Sequence, residues 1–303
     1  MKQKIIATNV WMSMNLNRNT PYKIITTLII LIALIPCTLK GQKHPVELLG
    51  KKQFVLLDGL GDPAVVFVTG LGQPQSDFEL VYNDIKKTNR IFSYDRAGLG
   101  QSEALDNVRT VDTMACELNS LLTHQNIAPP FILVGHSMGG FIIRCFAAMY
   151  PEKVAGLIFV DASYEDEFIK GYAVRTEYDR IQFSNDFKSY ANALDAPKSY
   201  NDEAKYYFDF DSTGYSTNGR IMRDLKIPTN IRITAIVSTK VDLENPYSKQ
   251  EIESCVSFYQ NMKNKNLDTE VIRTSKSGHF IQIEQPELVI DAIRKMSKKI
   301  KRY

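Results

Sequence analysis

The 303-residue sequence is poor in several features that mark whole protein classes. Its four cysteines, Cys37, Cys116, Cys145 and Cys255, lie far apart and form no C-x-x-C pair. That excludes a zinc ribbon and argues against a disulfide framework, leaving the last three as expected small core residues. Histidine is as scarce, with four residues, so clustered imidazole ligands are not expected, and neither a metal nor a cofactor is required. The net charge is only +3, and apart from the tail KKIKRY no basic stretch stands out. Nucleic acid is therefore excluded as an expected partner, and the tail reads as the solvated end of a last helix.

Long apolar runs are also missing. The uncharged stretch Ile24–Ile35 covers 12 residues, short of the about 20 that a membrane span needs. Flanked by Lys23 and by Pro36-Cys37-Thr38, it has the layout of a secretory leader. Residues 1–41 are thus expected to direct export to the periplasm or the medium, with an uncleaved anchor as the alternative. Membrane attachment is expected through residues 24–35 only. No A-x-A cleavage pattern is present.

What the chain does have is rhythm. After the polar stretch GQKHP, the segment VELLGKKQFVLLDGLGDP reads as an antiparallel hairpin joined through Gly50-Lys51-Lys52. Short β-branched runs then recur, AVVFVT (64–69), RIFSY (90–94), FILVG (131–135) and VAGLIFVD (154–161), separated by helical patterns near 75–88, 110–125 and 138–150. Near-continuous apolar strands alternating with helices predict an α/β fold, a mostly parallel sheet covered on both faces. The rhythm lapses at 164–228, polar and rich in Tyr and Phe, where a helical lid is expected. It resumes with IRITAIVS (231–238), a helix near 247–265, TEVIRT (269–274) and a closing helix from Pro286. The core is therefore expected at 42–163 and 229–303, with ligands beyond the carboxyl ends of its strands.

At one such end stands Gly135-His136-Ser137-Met138-Gly139. A G-x-S-x-G sequence between a buried strand and a helix forms a nucleophile elbow, in which the serine is strained and its hydroxyl lifted into the open. The Met138 N–H at the helix start would face an oxyanion formed on Ser137. A second donor is expected from Leu71, flanked by Gly70 and Gly72 in the loop after AVVFVT. Serine also needs a base. Of the four histidines, His44 reads as solvated, His124 as a helix-end residue and His136 as packing, whereas His279 follows the last strand in TSKSGHF. The base needs an acid to fix its tautomer, and two aspartates end strands at this edge. Asp242 follows IRITAIVS and is favoured; Asp161 ends VAGLIFVD and is the alternative, since a strand-end aspartate can equally cap a helix.

GHSMGG, Tyr94-Asp95-Arg96-Ala97-Gly98-Leu99-Gly100-Gln101-Ser102 and SGHFIQIEQPELV together resemble the α/β-hydrolase fold superfamily over about residues 46–300, in the branch with a lid after the strand that follows the elbow helix. The resemblance implies an eight-stranded-type sheet with an N-terminal hairpin. It also places the acid after the strand ending at Ser238, where Asp242 and Pro246 match D-x-x-x-P. Two positions depart from the family pattern: Thr69-Gly70 stands for the usual His-Gly of the oxyanion loop, and the glycine before the acid is missing. Asp95, Arg96, Gly98 and Ser102 are expected to hold their loop. Epoxide hydrolases and haloalkane dehalogenases of the superfamily carry aspartate at the elbow, so Ser137 implies instead an acyl-bond hydrolase, esterase-like, acting on a small-molecule acyl substrate. Carbon–carbon or amide cleavage by the same residues, or a non-catalytic binding protein, are the alternatives.

Overall fold

The computed structural model describes residues 41–164, 202–203, 205–206, 216–243, 248–265 and 268–301. The leader expected at 1–41 lies outside them apart from Gly41, as does most of the expected lid. Eight strands form one sheet: β1 (Gln42–Leu48), β2 (Lys51–Asp58), β3 (Ala64–Val68), β4 (Ile91–Tyr94), β5 (Phe131–His136), β6 (Val154–Val160), β7 (Arg232–Ser238) and β8 (Thr269–Thr274), in the order β1-β2-β4-β3-β5-β6-β7-β8. The β1–β2 and β2–β4 pairs are antiparallel and all others parallel.

The hairpin differs from expectation in one respect. The polar residues Gln42–Pro45 belong to β1, where Gln42 pairs with Leu57, and the turn falls on Leu49-Gly50, both with positive φ. Polar residues are tolerated there because β1 is an edge strand with one side in solvent, and Pro45 and exposed Lys43 and Glu47 blunt that edge.

The central strands are apolar on both faces because both faces are covered. In β3, Val66 and Val68 point into one cluster and Val65 and Phe67 into the other; in β5, Phe131 and Leu133 oppose Ile132 and Val134. On the first face lie α2 (Val111–His124), α3 (Gly139–Met149), α4 (Thr217–Asp224) and α5 (Ser248–Lys265), which supply Leu118, Phe146, Met222 and Tyr259. The opposite face takes α1 (Glu79–Ile85) and α7 (Pro286–Ile300) through Tyr82, Ile85, Val289 and Ile293. A one-turn helix, α6 (Ile281–Glu284), precedes α7. The helix α4 lies inside the stretch expected to be lid, and its Met222 is fully buried in the core cluster. At least this part of the insertion packs as core.

The loop after β4 is held much as the sequence suggested. Asp95 is buried and accepts from the Gln75 and Gln101 N–H groups and from Lys43 Nζ. Ser102 Oγ accepts from Phe54 N–H at 2.8 Å and donates to Asp95 O at 2.7 Å, tying β2 to that loop. A Cβ on Gly100, whose φ is +55°, would stand 2.4 Å from the Asp95 carboxyl. Ser102→Ala strands a buried donor and a buried acceptor together. It is expected to cost about 1–3 kcal/mol in urea unfolding while leaving the sheet intact.

Candidate active site

Because β3 to β8 run parallel, their carboxyl ends open at one edge, and the chain places Thr69–Gln73, Ser137, Asp161, Thr239–Asp242 and Ser275–His279 there. Ser137 has φ 51°, a left-handed backbone rare for a residue with a side chain. The turn survives because its neighbours carry no Cβ. A Cβ on Gly135 would stand 2.7 Å from Gly139 O; one on Gly139 would reach 2.3 Å from Val68 O; one on Gly140 would reach 2.4 Å from the Ala162 Cβ. From Phe131 to Ala147, Ser137 is the one residue that is not buried. Its backbone is fixed on the far side, the N–H donating to Val160 O and the carbonyl accepting from Gly140 and Ser163 N–H groups. The next residue, Met138, is the N-cap of α3.

The loop after β3 comes against this turn: a Cβ on Gly70 would stand 3.1 Å from Ser137 Cβ and 3.0 Å from His136 Nδ1. The loop that carries Leu71 is thereby brought against the turn that carries Ser137 and Met138. Arg96 fixes the loop from below. Its Nη1 donates to Thr69 O at 2.7 Å and Thr69 Oγ1 at 3.0 Å, its Nη2 to Gly70 O at 2.5 Å, and its Nε and Nη2 to the Glu203 carboxylate at 2.7 and 2.9 Å.

His279 is half-exposed, and its Nδ1 lies 2.8 Å from Asp161 Oδ2. The carboxylate can only accept here, so Nδ1 carries the proton and, in the neutral ring, Nε2 is the basic nitrogen. Asp161 itself is set by the sheet. It has φ 41°, its N–H donates to Ile236 O, and its Oδ1 accepts the Ser238 N–H at 2.8 Å. Ser238 Oγ in turn donates to Ser277 O, and Gly278 N–H donates to Glu284 Oε2, which fix the loop that carries His279. Asp242, the aspartate favoured on the family pattern, sits in an exposed stretch beyond β7 with its N–H on Ser248 Oγ. The contact from His279 goes to the alternative. A carboxylate at the tip of β6 can reach across to the neighbouring strand end without leaving the sheet, whereas Asp242 lies four residues past the end of β7.

The sequence assigned His136 to packing and missed a second feature. Its ring is buried and lies against that of His279, centroids 4.6 Å apart, with Nε2 3.0 Å from His279 O. Burial, reinforced by the His279 imidazole, pushes its pKa down to about 3. The neutral ring must donate through Nε2, since a carbonyl only accepts, so Nδ1 is a bare acceptor without a hydrogen-bond partner. The other histidines are peripheral: His44 Nε2 meets Gln125 Oε1 and His124 Nδ1 meets Ser120 O. Among the described residues no cluster of three or more potential metal ligands occurs, and Cys116, Cys145 and Cys255 form no disulfide.

A residue bounded by strands, an elbow and a histidine loop in this order defines a class of fold, and residues 63–205 match the alpha/beta hydrolase fold family. The chain has the α/β-hydrolase fold. Among curated relatives, it is 32% identical over 133 residues to the uncharacterized protein YbdG of Bacillus subtilis (strain 168), a match covering 43% of this chain and 41% of that protein. Among solved structures, a thermophilic esterase from Thermogutta terrifontis superposes with a TM-score of 0.56 at 20% identity, covering 86% of this chain and 99% of the other. The epoxide hydrolase VrEH1 from Vigna radiata gives 0.60 at 16%, covering 86% and 98%.

The buried neutral imidazole makes stability depend on pH. The folded-state value of about 3 lies below the 6.5 of the unfolded chain, so protonation favours unfolding. The His136 contribution is complete above pH 6.5 and is lost as pH falls from there towards 3. At pH 5 the loss amounts to about 2 kcal/mol. Urea midpoints of wild type and His136→Phe, compared at pH 7.5 and 5, are expected to show that much less acid sensitivity in the variant.

Proposed function

We propose that the protein hydrolyses a carboxylic ester or a related acyl bond of a small, fairly apolar molecule through an acyl-enzyme on Ser137. The observation that carries this reading is the 2.8 Å contact between His279 Nδ1 and Asp161, which makes Nε2 the basic nitrogen of a ring packed against the residue preceding Ser137. An unprotonated imidazole nitrogen is a base suited to neutral pH.

The steps follow from these groups. Ser137 Oγ attacks the acyl carbon and its proton passes to His279 Nε2, so the carbonyl π pair moves onto oxygen. That oxyanion lies between the Met138 and Leu71 N–H groups, whose dipoles are fixed before the charge appears. The carbon–oxygen bond to the alcohol then breaks as His279 returns its proton to the leaving oxygen. A water gives its proton to the same nitrogen, attacks the acyl-serine, and releases the acid with Ser137 restored. Asp161 stabilises the imidazolium formed in each half-reaction and keeps the ring in the Nδ1–H tautomer.

The T. terrifontis esterase supports this class of chemistry by fold. The V. radiata epoxide hydrolase is as similar in fold, but an elbow serine cannot form the carboxylate ester that an elbow aspartate would form with an epoxide.

Labelling by a fluorophosphonate is expected to be stoichiometric and to map to Ser137; folded protein that takes no label there would refute the acyl-enzyme. To assign the acid, Asp161→Asn and Asp242→Asn are compared in kcat for a p-nitrophenyl ester. Asp161→Asn should lose about three to four orders of magnitude, and Asp242→Asn should stay at the wild-type rate; the reverse result would return the role to Asp242.

A further inference from the structure

Deep in the molecule, four charged side chains make a balanced cluster that the reaction does not touch. Arg96 and Glu203 are 1% and 0% exposed and form a two-point ion pair, and Arg109 and Glu117 pair beside them. Arg109 Nη2 also lies 3.8 Å from Glu203 Oε1. Glu203 comes from the insertion at 164–228, yet it holds the loop after β3: besides the Arg96 fork, its Oε2 accepts the Gly72 N–H at 3.3 Å.

We propose that Glu203 is a positioning residue which, through Arg96, holds the Gly70–Leu71 peptide in the one orientation that turns the Leu71 N–H towards the oxyanion. This rests on the acyl-enzyme reading above.

Covalent geometry limits how this peptide can turn. A trans peptide is planar, and its C=O and N–H point to opposite sides. Gly70 O is taken by Arg96 Nη2 at 2.5 Å and by the Gln73 N–H at 3.1 Å, so the Leu71 N–H of the same plane must point away from Arg96. The loop lies against the elbow, since a Cβ on Gly70 would stand 3.1 Å from Ser137 Cβ. Rotating this peptide would break both bonds to Gly70 O. Arg96 can hold the carbonyls of Thr69 and Gly70 only while its own position is fixed, and five contacts engage the five N–H groups of its fork: two to Thr69, one to Gly70 and two to Glu203. Glu203 supplies the anchor and the neutralising charge. The glycines on either side of Leu71 lower the barrier to a peptide flip, which is why the loop needs a clamp.

Glu203→Gln keeps the volume and removes the charge; Arg96→Lys keeps the charge and removes the fork. Both are purified, their folded fraction is measured by near-ultraviolet circular dichroism, and Ser137 labelling, kcat, KM and the affinity for an alkyl boronic acid are determined. A boronate on Ser137 places a tetrahedral oxygen where the oxyanion forms. In folded protein, each variant is expected to label fully and keep its KM, while kcat and boronate affinity fall together by about 10–100-fold, less than the loss on deleting a donor outright. Unchanged kcat and boronate affinity in the folded variants, with only the unfolding temperature lowered, would overturn the positioning role while the wild type still labels at Ser137. Raised KM at unchanged kcat would overturn it too, by making Glu203 a pocket residue. A wild type that takes no label on Ser137 would overturn the acyl-enzyme reading and this role with it.

Discussion

The left-handed backbone of Ser137 is the constraint around which the carboxyl edge of the sheet is built. Holding it requires that α3 start hard against β3, close enough that a Cβ on Gly139 would overlap Val68 O, and that β6 close from the other side through Val160 O and Ser163. The cost of such a backbone is about 1–3 kcal/mol, and it is offset by elements that are themselves fully buried. The same crowding is what leaves one hydroxyl-bearing residue only half-buried in an otherwise buried run.

Around that turn, hydrogen-bond chains converge from separate strand ends. One runs from Ser277 through Ser238 and Asp161 to His279, tying β6, β7 and the loop after β8. The other runs from Glu203 through Arg96 to Thr69 and Gly70 at the end of β3. The first orients the His279 ring and the second fixes the loop after β3. The second is made of buried groups, so each of its members depends on its partners: a buried polar group without one costs more than its bond contributes.

Much of the fold was legible because buried parallel strands alternating with helices leave an unambiguous apolar pattern, and the Gly-x-Ser-x-Gly turn sits where that pattern requires it. Less legible were features set by three-dimensional reach. Gln42–Pro45 looks like linker since an edge strand need bury only one side. Asp161 and Asp242 both end strands, and spacing along the chain does not report that β6 and β7 are neighbours with Asp161 spanning them. Glu203 gave no signal, lying in an aromatic, polar stretch 107 residues from Arg96. His136 was read as packing, which its burial supports, but its donation to His279 O emerges only when the last loop folds over the elbow.

Asp161 carries a further consequence through its backbone. At φ 41° the position suits asparagine, aspartate and glycine and disfavours β-branched or bulky residues. Drift at this site is thus funnelled towards replacements that preserve the turn. Asparagine in particular would keep the shape and the Ser238 contact while withdrawing the negative charge from beside the imidazole. Backbone shape alone therefore does not separate aspartate from asparagine at 161; the charge beside the imidazole does.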